Sequence, residues 1–230
     1  MQLAVKDVAR LLSVTEKTVY RWIQAQHLPA YRIEGQYRIN RALLFEWATA
    51  RKINFSEALL QDSRAATPDP SLEEGLRYGG IYYRIEGGNK EAVLRATVDL
   101  LRLPDSVDRT FLYEALLARE KLHSTGIGDG IAVPHVRNPL IVEVDKPLAC
   151  LCFLARPVEF GALDGKPVSI LFTLMTPSVR AHLHLLSRLS FCLQNAAFKQ
   201  SLLQQAGREE ILAAAQRVET ALSKPSEPAV

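Results

Sequence analysis

The sequence predicts a mixed α/β domain, a sheet flanked by helices, preceded by a small helix–helix–hairpin–helix module. Three observations carry that prediction. The first sixty residues change their apolar period from helical to alternating and back. A polar, Pro-containing stretch follows from about Gln61 to Gly75, through Asp62, Ser63, Thr67, Pro68, Asp69, Pro70 and Ser71. Beyond it, strand-like and helix-like runs alternate, as in a sheet covered by helices. A chain of 230 residues, 48% hydrophobic and 23% charged, can bury a core in each part.

In the first part, Val5, Val8, Ala9, Leu11 and Leu12 give one amphipathic helix, and Val19, Trp22 and Ile23 give a second. Two starts are open for the second helix: Ser13 with Glu16 as a capping box, or Thr15 as a plain N-cap. Pro29 ends the helical stretch. Tyr31-Arg32-Ile33 and Tyr37-Arg38-Ile39 alternate as strands around Glu34-Gly35-Gln36, a hairpin, and Ala42 to Ala50 returns to helical spacing. In the second part the runs are Ile81 to Ile85, Lys90 to Leu103, Ser106 to Arg119, Ile131 to Val133, Leu148 to Leu154, Val168 to Met175 and Val179 to Gln194.

Charge divides the chain in the same way. Residues 1 to 60 carry nine Lys/Arg against five Asp/Glu, and the remainder nineteen against twenty. A basic module on a neutral body fits a polyanionic partner, since phosphate contacts supply the non-specific affinity of DNA binders; a merely basic surface is the other reading. Cys150, Cys152 and Cys192 are odd in number and lie in apolar segments, which points to reduced thiols and a cytoplasmic location. Apolar stretches such as Pro147 to Ala155 fall far short of the ~20 residues that span a bilayer, and no signal-peptide pattern follows Met1. No membrane segment is expected.

The run from Val5 to Ile23 resembles the helix-turn-helix of the MerR and excisionase families, and Leu28-Pro29-Ala30-Tyr31-Arg32 with Tyr37-Arg38-Ile39 resembles their wing. The residues fit that resemblance. Small Ala9 allows the two helices to cross closely, and Val14, Val19 and Trp22 pack their shared side. Ser13 stands at the turn where many such motifs have Gly, at some conformational cost. Lys17, Thr18, Tyr20 and Arg21, beside Glu16, would face base edges and phosphates, with Arg32, Arg38 and Arg41 along the wing. The expected partner is DNA, met by a homodimer.

The second motif is Thr125-Gly126-Ile127-Gly128-Asp129-Gly130-Ile131-Ala132-Val133-Pro134-His135. With Glu159 to Val168 and Ala181-His182-Leu183-His184-Leu185-Leu186, it resembles the fructose, mannitol and nitrogen-related IIA domains of the bacterial phosphotransferase system, over about Ile81 to Leu222. Pro134 fixes its own φ and holds Val133 extended, so His135 emerges just past a short buried strand. The upstream glycines remove bulk, so that a partner could come close. A neutral imidazole is a competent nucleophile at phosphorus, and transfer needs mainly positioning and charge neutralisation.

The resemblance implies that His135 accepts the phosphoryl group through Nε2. It also implies that His182 is the second site histidine, that Arg119 forks onto the phosphoryl oxygens, and that a phosphocarrier protein is the donor. Val136 departs from the family, which commonly has Gly after the histidine, and it adds bulk beside the site and resists a positive φ. His182 and His184 point apart at i and i+2 on a helix, which leaves His184 structural. Asp129 and Asp164 read as turn residues. The histidine spacing matches no zinc pattern, and no metal or cofactor is expected.

These readings predict a winged helix-turn-helix over 1–60, a linker over 61–75, a IIA-type domain over 76–223 and a disordered tail over 224–230. Three functions are open: a transcriptional regulator controlled by phosphorylation of, or protein docking to, the IIA-like domain; a phosphocarrier component of a phosphotransferase system, which makes the chain a histidine phosphoryl carrier rather than a stand-alone enzyme; and a non-phosphorylated interaction module.

Overall fold

A computed structural model describes residues 2–25, 28, 30–33, 36–40, 44, 47–48, 51, 53, 70–105, 107–136 and 144–223, with backbone alone at 2, 31–33, 40 and 223. The chain forms two compact units, Met1–Thr67 and Pro68–Val230.

In the first unit, strand β1 (Gln2–Ala4) runs directly into helix α1 (Val5–Leu11), and helix α2 (Glu16–Gln24) follows. Asp7 accepts the Ala4 N–H at 3.1 Å, which covers one donor at the start of α1. Ser13 has φ +53°, the left-handed turn that the sequence places there. A side chain in that conformation costs roughly 1–2 kcal/mol. Of the two starts open for α2, Thr15 is the N-cap: its Oγ1 accepts the Thr18 N–H at 3.2 Å, a bond typically worth about 1 kcal/mol.

Strands β2 (Tyr31–Ile33) and β3 (Gln36–Asn40) form the expected hairpin, with Arg32 opposite Tyr37. The sheet order is β1-β3-β2, so Gln2–Ala4 adds a strand that periodicity alone does not reveal. Leu3, Val8, Val19, Ile23 and Ile39 form the core, and Trp22 packs on Trp47 with ring centroids 4.9 Å apart. Of the third helix expected over 42–50, Leu44, Trp47 and Ala48 are helical and buried. Its other positions lie outside the described residues, as do Pro29, Arg41, the linker through 69 and the tail 224–230.

The second unit is a five-stranded mixed sheet flanked by helices. Its elements are α3 (Leu72–Gly79), β4 (Ile81–Ile85), α4 (Lys90–Leu100), α5 (Arg109–Leu122), β5 (Gly126–Gly128), β6 (Ile131–Ala132), β7 (Leu148–Val158), β8 (Val168–Met175), α6 (Val179–Gln194), α7 (Ala196–Leu203) and α8 (Arg208–Ser223). The strand order is β4-β7-β8-β6-β5. β4 is parallel to β7 and β6 to β8, whereas β7–β8 and β5–β6 are antiparallel. Central β7 and β8 are apolar nearly throughout because both of their faces are covered. Leu94, Leu112, Leu116, Phe160 and Leu171 belong to one buried cluster.

The three thiols are free and buried in this unit. Cys150 and Cys152 have sulfurs 3.7 Å apart. Their mutual bond, and then burial, hold the Cys150 thiol protonated, and burial pushes Cys192 up to about 12. Among the described residues no helix is long and apolar enough to cross a membrane.

Helix α3 corrects the linker boundary at Gly75. Ser71 caps it by accepting the Glu74 N–H at 3.0 Å, and Leu72 is fully buried, so the ordered unit starts about four residues before the linker's expected end. Its composition hides it, since Gly75 and Gly79 lower helix propensity. Packing explains both: a Cβ on Gly79 would stand 2.3 Å from the Ala149 carbonyl oxygen, and one on Gly75 would touch Leu185 and Ala149.

The last helix closes over the first. Glu219 of α8 accepts the N–H groups of Leu72 at 2.7 Å and Glu73 at 3.1 Å. Burial raises the Glu219 carboxyl above the ordinary Glu value, against the lowering effect of those two backbone donors. The folded state therefore holds this proton more tightly than the unfolded chain. Its contribution to stability is fully present below the ordinary Glu value and is lost as pH rises through the raised one. Urea unfolding at a series of pH values is expected to show that decline in the wild type and a flatter profile in Glu219→Gln; identical slopes would remove Glu219 as its source.

Candidate functional site

The second motif assembles from α5 onward. Leu112 and Leu116 bury one face of this helix, and Glu120 continues the same face with its side chain almost wholly enclosed. Its carboxylate accepts the Thr125 N–H at 3.0 Å, the Thr125 hydroxyl at 2.6 Å and the Lys90 ammonium at 3.1 Å. Arg119, one residue earlier, is half-buried, and its Nη1 donates to the His123 carbonyl at 2.8 Å, covering an open carbonyl at the helix end.

Strand β5 turns back into β6 through Gly128, Asp129 and Gly130, with φ of +93°, +55° and +74°. The glycines are thus required by the chain itself. Gly128 and Gly130 make the turn, and a Cβ on Gly126 would come within 2.8 Å of the Ala162 backbone. The turn is held from outside: Asp164 accepts the Asp129 N–H at 2.9 Å, and the Asp129 carboxylate pairs with Lys199 of α7. The Asp129 and Lys166 N–H groups hold the Asp164 carboxyl below its ordinary value.

After β6, the Val133 N–H donates to the Thr125 carbonyl at 3.0 Å, and His135 makes a single parallel bridge to Leu174 of β8. His135 Nδ1 lies 2.7 Å from the Val133 carbonyl oxygen. A carbonyl only accepts, so Nδ1 carries the proton and the in-plane lone pair of the neutral ring is on Nε2. His182 stands in the first turn of α6, whose N-cap Ser178 accepts the Ala181 N–H at 3.1 Å. The two imidazoles lie 5.1 Å apart, centroid to centroid, and each residue is only 3% exposed. Since β6 and β8 are parallel, both histidines stand beyond the carboxyl ends of neighbouring strands, where α/β sheets place their sites.

The structure brings His135 and His182 together and puts Arg119 on the helix that leads into the same motif. His184, two residues on, is buried and accepts from Arg188 Nε at 3.1 Å, a structural contact. Glu120 and Lys90 lie outside the motifs that the sequence marks as functional. The available signal was Leu112-Leu116-Glu120, a carboxylate at i+4 on an apolar stripe.

Val136 does not present its bulk to an approaching partner. It is 1% exposed, packs in the core cluster with Ala132 and Leu148, and is not among the residues of positive φ. Val136→Gly is therefore expected to lower stability by about 2–4 kcal/mol, from lost apolar burial and added backbone freedom. Denaturant unfolding checks this, and an unchanged midpoint would place the side chain outside the core.

In the first unit Lys17, Tyr20 and Arg21 are exposed on one face of α2, and Arg38 is half-buried on β3. Tyr20 meets Tyr37 edge-on at 6.1 Å, which joins that face to the hairpin. Thr18 differs from expectation in that its hydroxyl lies 3.0 Å from Thr15 Oγ1, in the cap of α2. The side chain of Arg32 lies outside the described residues.

Comparison with known proteins places both segments. Residues 76–217 match the family model described as phosphoenolpyruvate-dependent sugar phosphotransferase system, EIIA 2, and residues 3–52 match a helix-turn-helix domain. The chain is 38% identical over 135 residues to a nitrogen regulatory protein of Pseudomonas aeruginosa, covering 57% of this chain and 85% of that relative. It is 36% identical over 106 residues to the nitrogen regulatory protein of Escherichia coli, covering 45% of this chain and 64% of the other. The crystal structure of nitrogen regulatory protein IIA-Ntr from Neisseria meningitidis superposes with a TM-score of 0.55 at 34% identity, covering 63% of this chain and 98% of that one. The mixed sheet, the paired histidines and these matches agree: the chain belongs to the EIIA 2 family of the phosphotransferase system and carries a helix-turn-helix domain ahead of it.

Proposed function

We propose that this protein is a DNA-binding transcriptional regulator whose state is set at His135, by phosphorylation or by docking of the phosphocarrier protein that delivers the phosphoryl group. The observation that carries the reading is the Nδ1–Val133 bond, which leaves the nucleophilic lone pair on Nε2. The names of the relatives, nitrogen regulatory proteins, support a regulatory role over sugar uptake.

In the proposed step, Nε2 of His135 attacks the phosphorus of a phosphohistidine on the donor. The new N–P bond forms as the donor's N–P bond breaks, and the donor imidazole leaves with its electron pair. Arg119 forks onto the phosphoryl oxygens, where spread negative charge needs neutralising. His182 packs beside the acceptor ring and helps to hold the group. Incubating the full-length protein with phosphorylated phosphocarrier protein is expected to yield acid-labile phosphate on the wild type and none on His135→Ala. Arg119→Ala should slow the reaction on the order of 10²-fold. Phosphate retained on His135→Ala would sink the assignment.

On the DNA side, Lys17 and Arg38 contact phosphates and Arg21 reads a base edge, from a homodimer that meets two half-sites about 34 Å apart. Titration of the intact protein against random and selected DNA at several salt concentrations tests this. Lys17→Ala and Arg38→Ala should each lower the logarithmic salt slope by about 0.9 on all sequences. Arg21→Ala should cost ~1–3 kcal/mol at the preferred site with little change elsewhere. No salt-dependent affinity in the intact protein would make the N-terminal unit a protein-docking module.

A further inference from the structure

The Lys90–Glu120 pair, in which the carboxylate is buried and the lysine half-buried, has no part in the chemistry above, yet it begins an unbroken set of contacts that ends on His135. Lys90 Nζ sits 3.1 Å from the Glu120 carboxylate and 4.9 Å from the centroid of the Phe160 ring. The carboxylate takes both donors of Thr125, its N–H and its hydroxyl. The Thr125 carbonyl then takes the Val133 N–H at 3.0 Å, and the Val133 carbonyl takes Nδ1–H of His135 at 2.7 Å. Pro134, between them, contributes no N–H and a fixed φ.

We infer that Glu120 is a positioning residue for His135: by fixing Thr125, and through it Val133, it sets which imidazole nitrogen is protonated and where Nε2 points. This rests on the phosphoacceptor reading of His135. An ionised carboxylate suits the role because it accepts only, so both Thr125 donors and the Lys90 ammonium can share it. The buried charge is balanced by Lys90, and removing one member of such a pair leaves the other uncompensated. Glutamine keeps the shape but sets two N–H donors among groups that themselves donate. Thr125 would then lose a bond, the Val133 carbonyl would shift, and the Nδ1–H preference of His135 would weaken.

The test uses the full-length protein labelled with ¹⁵N-histidine. Long-range ¹H–¹⁵N spectra of the unphosphorylated wild type are expected to show His135 as the Nδ1–H tautomer. In Glu120→Gln the His135 signals should move toward the average of the two tautomers, and the initial rate of phosphorylation should fall about 10-fold, as for a small misplacement of a reacting atom. A folded Glu120→Gln with the wild-type tautomer and rate overturns the inference. Should that variant not fold, Thr125→Val decides, because it keeps the backbone donor and removes only the hydroxyl. A partial tautomer change with a smaller rate loss supports the inference, and wild-type behaviour in both overturns it. A tautomer change in a protein that accepts no phosphate even as wild type supports the positioning role and defeats the phosphoacceptor reading, so the two failures are distinct.

Discussion

A strand of two residues leads straight to His135, and two residues cannot hold a direction alone. Ile131 and Ala132 are held by pairing on both sides, antiparallel to β5 and parallel to β8. Each partner is fixed in turn: β8 by its long antiparallel run with β7, and β5 by Glu120 at its start and the Asp129 turn at its end. Were β5 to detach, the Thr125 carbonyl would be lost to Val133, and with it the backbone that orients the imidazole. The mixed pairing follows from this demand. The parallel β6–β8 register sends both chain segments out of the same end of the sheet, where His135 and His182 meet.

The same economy governs the buried polar groups. Glu120 and Glu219 are carboxylates in apolar surroundings: Glu219 accepts two backbone N–H groups from a distant segment, and Glu120 accepts the Thr125 N–H and hydroxyl and the Lys90 ammonium. Such contacts cost desolvation, and they contribute to stability only while every donor stays in place. Both carboxylates lie where a helix meets the start of another element, so they act on chain direction more than on bulk packing.

Much of this could be read from the residues. The bounds of β4, β8 and α6 agree with their apolar runs, because those runs end at strong turn or capping residues such as Ser178. The left-handed turn at Ser13 and the cap at Thr15 were also among the readings that local chemistry allowed. His135 and His182, side by side, came from motif resemblance, and the distance between their rings needed the fold. What stayed hidden was tertiary in origin. Gly75 of α3 reads as linker because the Ala149 strand that it packs on is some seventy residues away, and Glu120 looks like any surface glutamate until Leu112 and Leu116 are seen to be covered. Val136 looked like bulk at a docking surface because its direction depends on how β6 is paired.

The cap of α3 also decides where this domain can be cut. The family match spans residues 76–217. A fragment trimmed to those limits would begin in the fifth residue of α3, after Ser71 and Leu72, and would end two residues short of Glu219. It would therefore lose the start of the helix and the carboxylate that seals it, and leave open the part of the sheet face on which Gly75 lies. The smallest piece able to keep these contacts starts at Ser71 and runs past Glu219, so the unit that folds is longer at both ends than the unit that the family shares.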